Sequence, residues 1–176
     1  GANDRVTLLF DTFNDGTNAF VFGSNPYGVR REILLSGGGN ERQGFNSAWD
    51  TKWLGESIIH DDHYILEWKI PLSAFKYKEG ETKWRFNSYH FDTQDNERNT
   101  WINIPQNQNI YNLAFMGDLI FDKPLGKSKS PVSIIPFVNT ITAKDFENNE
   151  NTSSFKIGGD AKLTIANSMN LDLTLN

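Results

Sequence analysis

Apolar and polar residues alternate over short stretches of this chain, and the stretches are punctuated by Asn, Asp, Gly and Pro. Arg5–Phe10 (RVTLLF) is a nearly continuous apolar run, the pattern of a strand covered on both faces. Asn14-Asp15-Gly16 tolerates positive φ, so a tight turn is expected there, with a return strand over Asn18–Gly23 completing a hairpin. Val29–Leu35 predicts a third strand, ended by Gly37-Gly38-Gly39, a run expected to be too flexible for any regular element. Glu56–His60 and Tyr64–Ile70 predict a second hairpin around Asp61-Asp62; in its later arm Ile65, Glu67 and Lys69 alternate with Leu66, Trp68 and Ile70. Pro71 ends the pairing, and Leu72–Phe75 reads as one helical turn. Thr82–Asp92 and Asn99–Ile104 predict two more strands, an Asn/Gln loop follows, and Gly117–Phe121 closes this portion. No stretch beyond about a dozen residues carries 3.6-residue periodicity, which argues against an α-rich fold.

The texture changes at Asp122–Ser130 (DKPLGKSKS), a polar connector. Beyond it Pro131–Ala143 and Phe155–Ile165 read as long strands separated by a polar loop over 147–154. In the last stretch Leu171, Leu173 and Leu175 alternate with Asp172 and Thr174. Long strands with one apolar and one polar face suit a membrane β-barrel, and equally a soluble sheet with one wet face. The expected organisation is therefore a β-rich domain over residues 1–122, a linker over 123–130 and a second strand set over 131–176. Arg5–Phe10 reads as a central strand whose second neighbour would have to come from outside the chain, and the polypeptide is expected to extend in both directions.

Composition narrows the classes. Hydrophobic residues make up 38% and aromatics 13% of 176 residues, enough to build a packed core. A formal net charge of −5 is the wrong sign for a nucleic-acid binder. The absence of Cys removes disulfides, thiolate metal sites and a Cys nucleophile. Gly1-Ala2-Asn3-Asp4 has no basic start or apolar h-region, so in an exported protein a signal peptide belongs to the precursor.

Among residues that could carry chemistry, Trp49 and Trp53 (WDTKW) occupy a loop, where they offer either a stacking platform or a lid over the core. Trp68 and Trp84 fall within strand patterns and are core candidates. Trp101 follows Glu97 and Arg98; an indole beside a forked donor and a carboxylate is suited to sugar recognition, with a surface ion pair beside a half-buried ring as the plainer reading. Glycoside hydrolysis needs two carboxyls held across a cleft, for which Glu56 and Glu67 on facing hairpin arms are weak candidates. Asp11, Asn14 and Asp15 form an oxygen-rich turn that could hold Ca²⁺ or simply turn the chain. His60, His63 and His90 do not make a zinc set.

The runs DRVTLLFDTFNDGTNAFVFGSNPYGV, WDTKW, HYILEWKIPLSAF and KWRFNSYHFDTQDNERNTW, in this order, resemble the family 9 carbohydrate-binding module. The closer likeness is to the version fused to an outer-membrane-type β-barrel in large exported proteins of Gram-negative bacteria, and GGDAKLTIANSMNLDLTLN resembles the opening strands of that barrel. The resemblance implies an immunoglobulin-like β-sandwich, lacking its first strands here, which binds an oligo- or polysaccharide and in some members holds Ca²⁺. It also implies residence at the outer membrane, in the periplasm or on the cell surface. Trp101 matches the later of two tryptophans that sandwich a sugar in prototype modules; Gly1-Ala2-Asn3 offers no counterpart for the earlier one. Thr7 stands where those modules place a carboxylate, and Arg30 or Arg31 falls near their arginine. The expected binding set is Trp101, Arg98, Trp49, Trp53, Arg31 and Glu97, with no catalytic residue. The alternatives are a structural or plug-like sandwich with a decayed sugar site, and a glycoside hydrolase suggested by association alone.

Overall fold

A computed structural model of the chain describes residues 4–40, 42–128, 132–145, 150–165 and 169–175. It divides into two units, Gly1–Ser128 and Lys129–Asn176. Among the described residues the regular structure is strand and short 3-10 turns, with no α-helix, and no helix is long and apolar enough to cross a membrane.

In the front unit, β1 (Arg5–Asp11), β2 (Ala19–Ser24), β3 (Arg30–Leu35), β4 (Phe45–Asn46), β5 (Leu54–Ile59), β6 (Tyr64–Lys69), β7 (Lys83–Asp92), β8 (Glu97–Thr100) and β9 (Gly117–Ile120) follow in chain order. One seven-stranded antiparallel sheet runs β4-β3-β2-β1-β7-β8, with β9 also on β7; β5 and β6 form a separate hairpin. Every residue of β2 is buried, as a strand covered on both faces requires. The strands fall within a few residues of the sequence pattern; Asn99–Ile104 is the main misfit, because pairing there covers only Glu97–Thr100.

The expectation of an outside neighbour for β1 is overturned. β7 pairs with it along its whole length, from Arg5↔Phe91 to Asp11↔Arg85, while β2 holds the other edge. The glycine triplet is likewise an element: Gly37–Gly39 forms a 3-10 turn with φ of 66°, 71° and 76°. Its backbone is engaged, since Gly38 N donates to Thr17 O and Gly38 O accepts from Leu113 N. The supposed linker also belongs partly to the front unit. Leu125 N donates to Glu81 O, Ser128 Oγ donates to Phe75 O, and Leu125 packs against a core cluster. Positions 129 and 130 lie outside the described residues.

Each face of the sheet has its own core, because side chains alternate along every strand. On the first face Leu9, Val21, Ile33, Leu35 and Tyr89 pack beneath Leu113 and Met116 of the segment 101–116. Buried Asn87 ties both ends of that segment: its side-chain amide donates to the Ile102 and Phe115 carbonyls and its Oδ1 accepts from Ile102 N. On the second face Phe20, Phe22 and Trp84 meet Trp53, Ala74, Phe75 and Tyr77, with Trp49 and Trp68 partly buried against them. The Phe22 ring centroid lies 5.8 Å from Trp49, 5.5 Å from Trp53 and 5.5 Å from Phe75, edge to face.

In the rear unit, β10 (Val132–Asp145), β11 (Glu150–Ile165) and β12 (Met169–Leu175) form a three-stranded antiparallel sheet. β11 begins earlier than its sequence pattern suggests; 147–149 of the expected loop lie outside the described residues. The register sets Val138 opposite Ile157 and Thr140 opposite Phe155. Leu175 faces Gly159, two positions along β11 from Ile157, so these side chains share one side of the sheet. Phe155, Ile157 and Leu175 are 64%, 68% and 75% exposed. Lys156, Asp160 and Thr174 occupy the other side, where Thr174 Oγ1 donates to Asp160 at 2.9 Å.

Candidate functional site

Register assembles the first site. Arg31 pairs with Gly23, Gly23 with Thr7, and Thr7 with Tyr89, so these four residues form one row on the first face of the sheet. Gly23 leaves the space that the Arg31 side chain crosses: a Cβ there would sit 3.0 Å from Arg31 Nε and 3.1 Å from Thr7 Oγ1. Arg31 Nη2 donates to Tyr89 OH at 2.8 Å, Tyr111 OH at 3.0 Å and Thr7 Oγ1 at 3.1 Å. The two phenol oxygens lie 2.5 Å apart.

A second row lies two residues along, where Arg5 pairs with Phe91 and Phe91 with Arg98. The Arg5 and Arg98 guanidinium carbons sit 5.1 Å and 5.6 Å from the Phe91 ring centroid. Arg5 Nε is buried and has no hydrogen-bond partner among the described residues. Three guanidiniums therefore share one end of one face. The ion pairs formed by the described residues, His63–Asp62 and Lys83–Asp118, involve none of them. The nearby acids are directed elsewhere: Asp92 and Glu97 pair on the opposite face, and Asp4 accepts from Thr93 N and Oγ1 at 2.8 Å and 2.6 Å.

Electrostatics keep this end cationic. Burial, then the neighbouring Tyr89 phenol, pushes the Tyr111 hydroxyl up to about 12. Burial also raises Tyr89, but Arg31 and the bonds from Thr7 and Tyr111 outweigh it and leave that phenol below its ordinary value. For Arg31, burial opposes the charge while the two phenols favour it more, so its pKa is raised. Around neutral pH its close polar partners are uncharged hydroxyls, and none cancels its charge.

The second site is a cleft of about 790 Å³ on the hairpin side, lined by Arg30, Glu32, Asp50, Lys52, Trp53 and Lys69 among others. Trp53 Nε1 donates to Glu32 Oε2 at 3.1 Å; the Arg30 guanidinium lies 5.4 Å from the Trp53 ring and donates to the Trp53 carbonyl. Burial raises the Glu32 carboxyl, and Asp50 adds to the rise, against the lowering effects of Trp53 and Arg30. A carboxyl raised in the fold contributes its stability fully below the unfolded pKa and loses it as pH rises through the folded value. Glu32→Gln, which keeps an acceptor for Trp53, is therefore expected to raise the melting temperature slightly at pH 7. After solvent screening the gain is at most about 0.5 kcal/mol. It should vanish near pH 4, and a melting curve destabilised at both pH values would refute this account of Glu32.

The structure separates residues that the sequence reading grouped. Arg98 and Trp101 are three positions apart, which on an extended strand sends them to opposite faces. Arg98 lies over Phe91, whereas Trp101, 55% exposed, packs against Gly117 with its ring centroid 5.6 Å from that of Phe86. Glu97 is exposed and opposite Asp92. Trp49 and Trp53 are lids on the second core, with Trp53 buried. Of the expected binding set, Trp101 and Arg98 are thus not brought together with a loop tryptophan, whereas Arg31 and Arg98 share a face. Trp84 is core, and Trp68 is half-buried with Nε1 donating to Ser24 Oγ.

The candidate Ca²⁺ turn uses its oxygens internally. Buried Asp11 accepts from the backbone N–H of Phe13, Asp15 and Gly16, and Asp15 Oδ1 from Thr17 and Asn18. Asn14 donates to the Lys83 carbonyl. Among the described residues no group of three or more His, Asp or Glu is placed to hold a metal ion. Glu56 and Glu67 face each other across the hairpin, as their spacing allowed, and both are exposed. His60 stacks on His63, while His90 Nε2 hydrogen-bonds Tyr64 OH. Sequence reading missed Arg5, Tyr89, Tyr111 and the Glu32–Asp50 pair; only the even spacing of Thr7 from Arg5 and of Tyr89 from Phe91 hinted at shared faces.

Comparison with protein families, with curated proteins and with solved structures returns no match for this chain.

Proposed function

We propose that the front unit is a non-catalytic carbohydrate-binding module, with the seven-stranded sheet and the hairpin laid on it as the layers of an immunoglobulin-like sandwich. The observation that carries this reading is the Arg31–Thr7–Tyr89–Tyr111 cluster beside Arg98, where a forked donor and three hydroxyls converge on one end of the sheet. Paired donors and acceptors of that kind match the vicinal hydroxyls of a sugar. The family resemblance puts an arginine near Arg30 or Arg31 and a carboxylate where Thr7 stands, so the cluster supplies a hydroxyl in place of that acid. The rear sheet is read as the opening of an outer-membrane β-barrel, which would place the module in the periplasm or on the cell surface. Its support is the row of exposed apolar residues Val138, Phe155, Ile157, Leu173 and Leu175 on one side, and strands of 14 and 16 residues, longer than the roughly 9–11 that span a bilayer. The hydrolase alternative has less behind it: Glu56 and Glu67, the pair that the sequence offered, are both exposed on the paired arms of the hairpin and are not among the residues lining the cleft.

Titration calorimetry on the detergent-solubilised chain against a panel of soluble oligosaccharides tests the reading. Arg31→Ala and Arg98→Ala are expected to weaken the bound saccharide at least tenfold, with Trp101→Ala near wild type. Loss with Trp101→Ala while both arginine variants bind normally would move the site to the other face and end this assignment.

A further inference from the structure

We infer that the saccharide taken by this site carries an acidic group, a carboxylate or a sulfate, bound between Arg31 and the Arg5–Phe91–Arg98 row; this rests on the carbohydrate reading above. A neutral sugar needs hydrogen-bond donors, and hydroxyls or amides supply them without placing several charges together. Here three guanidiniums stand in two adjacent rows of one face, about 7 Å apart along the strands.

They do so in a chain whose acidic residues outnumber its basic ones by five, 22 against 17. Carboxylates are therefore plentiful, and the fold directs the nearby ones away. Asp92 and Glu97 face the other side, and Thr93 holds Asp4. Like charges gathered without a counterion repel one another, so an anion entering between them relieves an existing cost as well as gaining its own contacts.

The individual groups are prepared for this. Arg31 is held through Nη2 by three hydroxyls, and among the described residues no hydrogen bond uses its Nη1. Arg5 contributes a buried Nε–H that has no acceptor among the described residues. Arg98 is exposed, and Phe91 orients its guanidinium. A planar carboxylate or a sulfate oxygen pair offers acceptors to two forks at once, which a hydroxyl cannot do.

The test uses the full chain in detergent with four probes: tetragalacturonate, its methyl ester, a sulfated heparin tetrasaccharide and neutral maltotetraose. An acidic probe is expected to bind at least tenfold more tightly than the neutral ones, weakening as ionic strength rises from 50 to 300 mM. Arg98→Gln and Arg5→Gln should each reduce that preference at least fivefold, with melting temperature monitored to confirm folding. Preference for galacturonate over its ester identifies a carboxylate, and preference for the heparin fragment a sulfate; either supports the inference. Equal binding of neutral and acidic probes would overturn the acidic-ligand inference and leave the carbohydrate reading standing. Failure of all four to bind, with wild-type folding intact, would count against both.

Discussion

Replacing Trp84 with Ala is expected to destabilise the front unit by about 3–5 kcal/mol, the usual cost of deleting a large buried aromatic ring. Trp84 is 1% exposed and sits at the junction of sheet and covering layer. Its ring centroid lies 5.0 Å from Phe75, 5.4 Å from Tyr77 and 4.9 Å from Phe121. Phe75 and Tyr77 follow the 3-10 turn Leu72–Ala74 and Phe121 follows β9, so one cavity would loosen both of these stretches together. Trp84→Phe should cost much less. The indole Nε1–H is buried without an acceptor among the described residues, so the smaller ring also removes an unsatisfied donor. Urea unfolding of both variants measures the difference. A Trp84→Ala loss below about 1 kcal/mol would mean that this core does not hold the layers together.

The second large effect is expected at Gly39. A Cβ there would meet the Tyr111 carbonyl oxygen at 2.0 Å and its carbon at 2.8 Å, and the residue has a φ of +76°. Gly39→Ala must therefore displace the Tyr111 backbone in addition to bearing left-handed strain of about 1–2 kcal/mol. Forced overpacking adds about 1–3 kcal/mol. Gly37 provides the control: its φ is +66°, but nothing lies within 4 Å of a Cβ, so Gly37→Ala carries the strain alone. The gap between the two variants in denaturant midpoint isolates the steric part. Because Tyr111 hydroxyl is bonded to Arg31 and Tyr89, Gly39→Ala should also weaken saccharide binding, and Gly37→Ala should not. Equal stability and equal binding in the two variants would break the proposed link between this turn and the site.

The same glycines illustrate what the sequence could convey. Strand positions were legible because alternation and turn residues are local signals, as in Arg5–Phe10 with Asn14-Asp15-Gly16. Three consecutive glycines carry no local preference; their turn exists because Thr17 and Leu113 bond to its middle residue. The partnership of β1 with β7 could not be read either, since a strand's second neighbour is a long-range choice. The site was half legible. Arg31 and Arg98 were identified individually, but their common face follows from the register of five strands. The separation of Arg98 from Trp101 was available in principle, because an odd spacing on a strand reverses the face. Tyr89 gave only its even spacing from Phe91 and Tyr111 no signal: one sits in a core pattern and the other in a polar loop, and only the fold brings their oxygens together.

The pairing of Arg5 with Phe91, 86 positions further on, also has a kinetic meaning. During synthesis the first hairpin is complete and water-exposed along one flank long before its permanent neighbour has left the ribosome. Closing such a large loop is slow, in the range of milliseconds to seconds for sheets dominated by distant pairings. The partly made polypeptide, with a bare apolar flank, is therefore the form most prone to self-association and the one a holding chaperone would recognise.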